Sequence, residues 1–326
     1  MPRKNLKEYA HGDAMDEVFL LAEKQLRANR NADLYLLATL RDSSGQMNGM
    51  MWNVTEESVG HISTGDFIRV RGKVQLYQGA FQCIITHIDH VDSAQVNPDD
   101  FHPESSREAK KYVERFKEIC SQLRPDLKAI TDCFQSDEQL MSDFSSAPAG
   151  IKAHHAYPGG LVEHTVTMME VAAKLRDIYP DLDVDLLLVG VFLHDLGKTQ
   201  ELEWETSFLY SDPGQLIGHM PMAVEMLSAK VAEVHARGDA KIEDETVWRL
   251  KHMIISHHGT YEFGSSRLPM TPEATALHYI DNLDAKLHEF TRTIHDDPDG
   301  SSNWTPYSPR LQRKLYKGQR TPGAES

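Results

Sequence analysis

The hydrophobic period of this 326-residue chain changes once, from near two to near 3.6, across a polar stretch at Asp92–Ser106. A two-residue period suits half-buried strands and a 3.6-residue period suits amphipathic helices, so the break separates two kinds of fold. Before it, Ala32–Arg41, Met47–Trp52, Asp66–Val74 and Phe81–Val91 are rich in apolar and β-branched residues. Turn signals separate them at Asp42-Ser43-Ser44-Gly45, Thr64-Gly65-Asp66 and Tyr77-Gln78-Gly79. Around Phe67-Ile68-Arg69-Val70-Arg71 apolar and basic residues alternate, as on a strand with one face in a core and the other in solvent. Several short strands from about Asp16 to Val91 predict a small closed barrel, with the OB-fold as leading candidate.

The stretch Asp92–Ser106 (DSAQVNPDDFHPESS) holds two prolines and reads as a linker. Beyond it Tyr112, Phe116, Ile119 and Leu123 recur at steps of three and four, which predicts a helix over Arg107–Leu123. Further helices are expected near 161–178, 183–196, 220–236, 243–257 and 272–290. Ser105-Ser106 is expected to cap the first, and Thr271-Pro272-Glu273 to open the last. From Thr293 a tail rich in Pro, Ser, Gly and Asp turns basic and aromatic at Trp304–Lys317. The expected fold class is α+β multidomain: a β-barrel over 1–91, the linker 92–106, an all-α bundle over 107–292 and the tail 293–326.

Charge and cysteine usage narrow the partners. The net charge of −15 is unevenly spread: −1 over residues 1–91, −16 over 92–290 and +2 over 291–326. The acid lies in the helical part, which leaves room for a local basic groove elsewhere to hold phosphates. Cys83, Cys120 and Cys133 form no CxxC pair, which argues against a thiolate zinc site and against a disulfide framework. No apolar segment is long enough to span a bilayer, and MPRKNLKEYAHGD has no apolar signal region. The expectation is a cytoplasmic protein with no membrane partner.

A spaced series of imidazoles and carboxylates runs through the helical part: His164, His194-Asp195, His219, His257-His258 and Asp281. His194-Asp195 ends the apolar run LLLVGVFL, where both groups are costly to bury unless a divalent cation offsets their desolvation. Successive helical side chains diverge by about 100°, so the pair is expected to flank a site, with the carboxylate reaching between two ions. His164 follows the breaker Tyr157-Pro158-Gly159-Gly160 and is expected in the first turn of a helix. Asp281 is expected on a helix whose Leu277, Ile280, Leu283 and Leu287 face inward. A His/Asp set without thiolates favours Mn²⁺, Fe²⁺, Co²⁺ or Mg²⁺ over structural zinc. His154-His155 are intermediate, lying beside the breaker. His61, His87, His90, His235, His252, His278, His288 and His295 read as ordinary surface or core residues.

The order His164, His194-Asp195, Asp281 resembles the HD superfamily of metal-dependent phosphohydrolases. The words KAHHAYPGGLVEHT, FLHDLGK, GQLIGH, ISHHG and HYIDNLDAK resemble the YhaM family of 3′→5′ exoribonucleases, which joins an N-terminal OB-fold to a C-terminal HD domain. The likeness covers most of the chain, and GDFIRVRGKVQLYQGAFQ is its most distinctive barrel stretch. It implies that His164, His194, Asp195 and Asp281 are the four basic metal ligands, with His219 and His257-His258 matching the extra histidines of two-metal members. It implies catalytic roles for Asp195 and for Lys198, the latter as a phosphate contact; the alternative makes Lys198 a helix C-terminal cation answering the macrodipole. It further implies two divalent ions, Mn²⁺ foremost, and single-stranded RNA as substrate with single-stranded DNA as a second. Nucleoside 5′-monophosphates would be released, and the family inclines to a homo-oligomer.

In the barrel, Trp52, Arg69, Arg71, Lys73, Tyr77 and Phe81 are of the types that stack on bases and meet phosphates. The alternative makes the basic residues a solvated strand face and the aromatics core. In the tail, Trp304, Tyr307, Arg310, Arg313, Lys314 and Lys317 either add contacts or dock the terminus. Two rival functions stand beside the exoribonuclease. One is an HD nucleotidase or cyclic-dinucleotide phosphodiesterase, although the Gly-Tyr-Pro word of the latter is missing after His257-His258. The other is a non-catalytic nucleic-acid-binding protein, whose signature would be lost ligands; here all are present.

Overall fold

The computed structural model describes residues 3–29, 33–77, 80–97, 100–101, 105–151, 155–204, 209–297 and 302–318. The expected turn at Gln78-Gly79 and the candidate His154 lie outside them. β1 (Ala14–Ala28), β2 (Leu34–Asp42), β3 (Gly45–Trp52), β4 (Phe67–Tyr77) and β5 (Ala80–Val91) close a barrel in the order β1-β2-β3-β5-β4. The β3–β5 pair is parallel and the others are antiparallel. A short helix, α1 (Glu56–Val59), sits between β3 and β4 and is capped by Thr55, which accepts from the Ser58 amide. The small closed barrel expected from the several short strands is there, with the five strands of an OB-fold.

The alternation read along β4 decides which way its side chains face. Ile68, Val70 and Val74 are buried in the barrel core with Phe19, Leu21, Leu36 and Leu40, while Arg69, Arg71 and Lys73 are exposed. β1 is not among the strands singled out above, for a physical reason. A bulge between Leu21 and Glu23 shifts its register, so no single alternation runs along its length.

The helical part follows as α2 (Ser105–Ser121), α3 (Pro125–Gln135), α4 (Glu138–Ser146), α5 (Gly160–Lys174), α6 (Val184–Leu193) and α7 (Lys198–Glu201). A two-stranded ribbon, β6 (Leu202–Glu203) and β7 (Leu209–Tyr210), leads to α8 (Asp212–Ile217), α9 (His219–Arg237), α10 (Asp244–Ser256) and α11 (Pro272–His295). α2 already includes Ser105 and Ser106, so neither precedes the helix as an N-cap would. α3 and α4 are unanticipated; both are short, opened by Pro125 and by the Asp137 side chain. α6 is apolar all round because it is buried all round. Its Phe192 ring lies 4.7, 5.4 and 5.5 Å from those of Phe116, Phe134 and Phe144.

One expectation about α11 needs correction. Leu277 and Ile280 are buried as expected, but Leu283 and Leu287 are 49% and 59% exposed. At 3.6 residues per turn, the face holding Leu277 and Ile280 continues through Asp281 and Asp284 to His288. Among the described residues no helix is long and apolar enough to cross a membrane. The chain divides into two compact units, the barrel with the segment from Glu289, and the helices from Ser105 to His288.

Candidate metal centre and nucleic-acid surface

Five elements bring the spaced series to one place. His164 stands on α5, His194 caps the C-terminus of α6, His219 opens α9, His257 caps α10 and Asp281 lies on α11. His164 is in the second turn of its helix, one turn deeper than expected. His194 closes α6 and Asp195 follows in the turn beyond it, its Oδ2 3.3 Å from His194 Nε2. Two close approaches require glycine. A Cβ on Gly160 would lie 2.0 Å from the His155 carbonyl oxygen, and one on Gly197, in the HDLGK word, 2.0 Å from that of His219.

Asp195 lies between two sets of ring nitrogens. Its Oδ2 is 3.3 Å from His194 Nε2 and 3.8 Å from His164 Nε2, which is itself 3.4 Å from Asp281 Oδ1. Its Oδ1 is 3.5 Å from His219 Nε2 and 3.7 Å from His257 Nε2. The ligand atoms of His164, His194 and Asp195 fall within 4.8 Å of one another, as do those of His219, His257 and His258, and of His194, His257 and Asp281. Among the described residues, His194 Nε2, His219 Nε2 and Asp195 Oδ1 are buried with no hydrogen-bond partner. Buried polar atoms of that kind are expensive unless something else satisfies them, and nitrogen and carboxylate donors without thiolates suit a divalent cation.

What turns each ring inward is the partner on its other nitrogen. His194 Nδ1 donates to the Val191 carbonyl and His257 Nδ1 to the Ile254 carbonyl, each at 2.7 Å. His258 Nδ1 donates to the Phe263 carbonyl, also at 2.7 Å. His219 Nδ1 donates to Glu201 Oε1 at 3.1 Å, and His164 Nδ1 to Asp284 Oδ2 at 2.6 Å. This fixing of tautomer and orientation is how metal-ligating histidines are held.

Asp284 and Glu201 escaped the sequence reading. Asp284 left one signal, a second acid three residues after Asp281 on the same helical face; Glu201 left none. Asp284 also meets His155 Nε2 at 3.0 Å, and His155 Nδ1 lies 3.0 Å from Tyr157 Oη, which donates to Glu163. His278 and His288 are not bystanders. His278 Nδ1 donates to the His257 carbonyl at 2.8 Å, and the His288 ring lies 3.9 Å from that of His155.

Lys198 opens α7 and does not close α6, so the macrodipole reading does not fit it. Its Nζ donates to Asp195 Oδ2 and to the Ala149 carbonyl, both at 2.6 Å. Burial opposes charge on both groups. Lys198 and His194 nevertheless hold the Asp195 carboxyl well below the usual range, and Asp195 in turn raises Lys198. Burial lowers His257 and His258, keeping them in the neutral form that ligates metal. His164 differs: burial opposes its charge, yet hydrogen bonds to Asp281 and Asp284 push it up to about 9 from 6.5.

A pH dependence follows. The metal-free centre holds a proton on His164 at neutral pH, and a cation binding Nε2 must displace it. Metal uptake is expected to release about one proton below pH 9, and affinity to rise up to about tenfold per pH unit until then. The sign for folding is opposite: the stability this charged pair lends the metal-free protein is full below pH 6.5 and lost as pH rises through about 9. Calorimetric titrations in buffers of differing ionisation enthalpy check this, and a proton count of zero at pH 7 would contradict it.

The barrel candidates do not form one surface. Arg69 and Arg71 on β4 lie 2.7 and 3.6 Å from Asp16 of β1, whose single carboxylate they share. Lys73 is exposed beyond them, and Tyr77 is half-exposed at the end of the strand. Phe81 packs against the barrel core, as its alternative reading had it. Trp52 is half-exposed, its ring 5.1 Å from Tyr35. The register sets Arg27, Tyr35 and Trp52 in one row across β1, β2 and β3. Arg69 pairs with Val18, nine residues earlier on β1 than Arg27, or about 30 Å of strand. Tyr35 and Arg27 were missed because only cross-strand register reveals them.

Comparison with known proteins agrees with both halves. The HD domain family model matches residues 161–286, and that of the OB-fold nucleic acid binding domain matches 23–91. The 3′-5′ exoribonucleases YhaM of Bacillus subtilis and of Bacillus velezensis are each 33% identical over 293 residues, covering 89% of this chain and 91% of theirs. A solved domain of replication protein A from Methanococcus maripaludis covers 28% of this chain and 96% of its own at 18% identity. The TM-score is 0.25.

Proposed function

Since the chain belongs to the YhaM family of 3′-5′ exoribonucleases, we propose that the His/Asp centre cuts the terminal phosphodiester while the barrel holds the strand behind it. The activity is metal-dependent hydrolysis of RNA from its 3′ end. The observation that carries the mechanism is Asp195, whose two oxygens face different nitrogen sets. That arrangement supports two sites, one of His164, His194 and Asp281, the other of His219, His257 and His258, with Asp195 shared.

Divalent ions bound there, Mn²⁺ first and Fe²⁺, Co²⁺ or Mg²⁺ next, would supply Lewis acidity and lower the pKa of an attacking water. The chain supplies the rest. Backbone carbonyls, Glu201 and Asp284 hold the ring nitrogens in place. Lys198 keeps Asp195 ionised and has one donor beyond those given to Asp195 and Ala149, which suits a phosphate oxygen.

Single-stranded RNA is the substrate, and single-stranded DNA fits the same track, because stacking and phosphate contacts do not read the 2′-hydroxyl. The likeness over almost the whole chain leaves the nucleotidase, cyclic-dinucleotide and non-catalytic readings unsupported. Three buried free thiols favour a reducing cytoplasm. The exposed Tyr279, Leu283 and Leu287 on α11 favour self-association.

Digestion of a 5′-labelled RNA with Mn²⁺ tests the function. The label should stay on a ladder that shortens by single nucleotides, whereas immediate release of a labelled mononucleotide would overturn it. For the barrel, Trp52→Ala is expected to weaken binding of a long single strand by roughly 5–100-fold, the worth of one stacked base. Hydrolysis of a dinucleotide should not change. Equal losses on both substrates would count against the barrel's role.

A further inference from the structure

Residues 302–318 lie beyond both matched domains and form a loop drawn together by two antiparallel bridges, Trp304 with Tyr316 and Ser308 with Arg313. The loop is firmly anchored. Thr305, Leu311 and Leu315 are buried, and Thr305 Oγ1 accepts from the Leu315 amide at 2.9 Å. Lys317 pairs with Asp297 at 2.6 Å, both side chains almost fully buried, and Arg310 pairs with Glu289 at 2.8 Å. The segment from Glu289 belongs to the same compact unit as the barrel.

A terminus that served only to dock itself would turn its largest rings inward. This one buries leucines and leaves Trp304, Tyr307 and Tyr316 more than half exposed, at 51%, 58% and 54%. The Trp304 and Tyr316 rings lie 5.1 Å apart. From Trp304 to Lys317 there are four cations and no acid, in a chain of net charge −15. Arg313 and Lys314 are exposed.

We propose that this loop is a second single-strand binding site, in which Trp304 and Tyr316 stack on nucleobases while Arg313 and Lys314 meet phosphates. The proposal rests on the exoribonuclease reading, since an enzyme that shortens a strand from one end gains from holding the uncut remainder. With Arg310 and Lys317 held by Glu289 and Asp297, Arg313 and Lys314 carry the loop's outward charge beside the exposed rings, and cations set next to stacking platforms suit a single strand.

The test uses the full chain with a chelator present, so that RNA is bound and not cut, and follows a long labelled RNA by fluorescence anisotropy. Arg313→Gln with Lys314→Gln should reduce the steepness of log affinity against log salt by about 1.4, two phosphate contacts for a single strand. The same exchange at Arg237 and Lys241 should leave it unchanged. Trp304→Leu with Tyr316→Leu should weaken binding about tenfold or more at constant salt dependence. With Mn²⁺ restored, both loop variants should hydrolyse a dinucleotide at the wild-type rate. Wild-type affinity and salt dependence in both would overturn the proposal, as would a dinucleotide rate that falls along with binding. A wild-type protein that binds long RNA through this loop but degrades none would sink the exoribonuclease reading instead.

Discussion

Asp195→Asn is expected to lower kcat/KM on single-stranded RNA by about a thousandfold or more, or about 4 kcal/mol of transition-state stabilisation. The side chain keeps its shape but loses the charge and one of its two acceptor oxygens. Asp281 also lies near His194 and His257, but Asp195 is the carboxylate whose two oxygens each face a different nitrogen set, so Asp281 is not expected to replace it. The substitution has a second consequence, because Lys198 would keep a buried ammonium without its counter-ion. Breaking such a pair costs about 3–5 kcal/mol. Pairing Asp195→Asn with Lys198→Met should therefore recover stability without recovering turnover. Single-turnover kinetics and thermal melts on both variants separate the two effects. Turnover by Asp195→Asn at saturating metal would refute the assignment.

Metal removal should have the next largest effect. Ligand at about a thousand times its Kd stabilises the folded state by about 4 kcal/mol. In a unit of this size each kcal/mol shifts Tm by about 2–4 °C, so chelation should lower it by roughly 8–16 °C and abolish hydrolysis. The physical source is the set of buried atoms, His194 Nε2, His219 Nε2 and Asp195 Oδ1, that have no hydrogen-bond partner among the described residues. Scanning calorimetry with Mn²⁺ and with chelator measures the difference. A melting temperature indifferent to both would contradict a metal-binding centre here.

The residues that were legible in the sequence are those whose chemistry is out of keeping with their surroundings. An imidazole and a carboxylate at the end of LLLVGVFL, and an acid beside Ile280 on a helix, announce themselves without a structure. The residues that were not legible act through distance. Asp284 and Glu201 matter because each lies within hydrogen-bond reach of a histidine Nδ1, and no spacing rule records that. Alternation on β4 correctly put Arg69 and Arg71 outside. It could not reveal that Asp16, fifty-three residues before Arg69, folds back beside them. The inward face of α11 was misjudged at Leu283 and Leu287 because apolar type outweighed angular position. The acids and His288 that hold those inward places belong to the metal centre and its supports.

The most direct measurement is anomalous scattering from crystals of the Mn²⁺-loaded protein. The account predicts two sites that share Asp195, one held also by His164, His194 and Asp281, the other by His219, His257 and His258. Manganese bound elsewhere, or at no position that Asp195 touches, would contradict it.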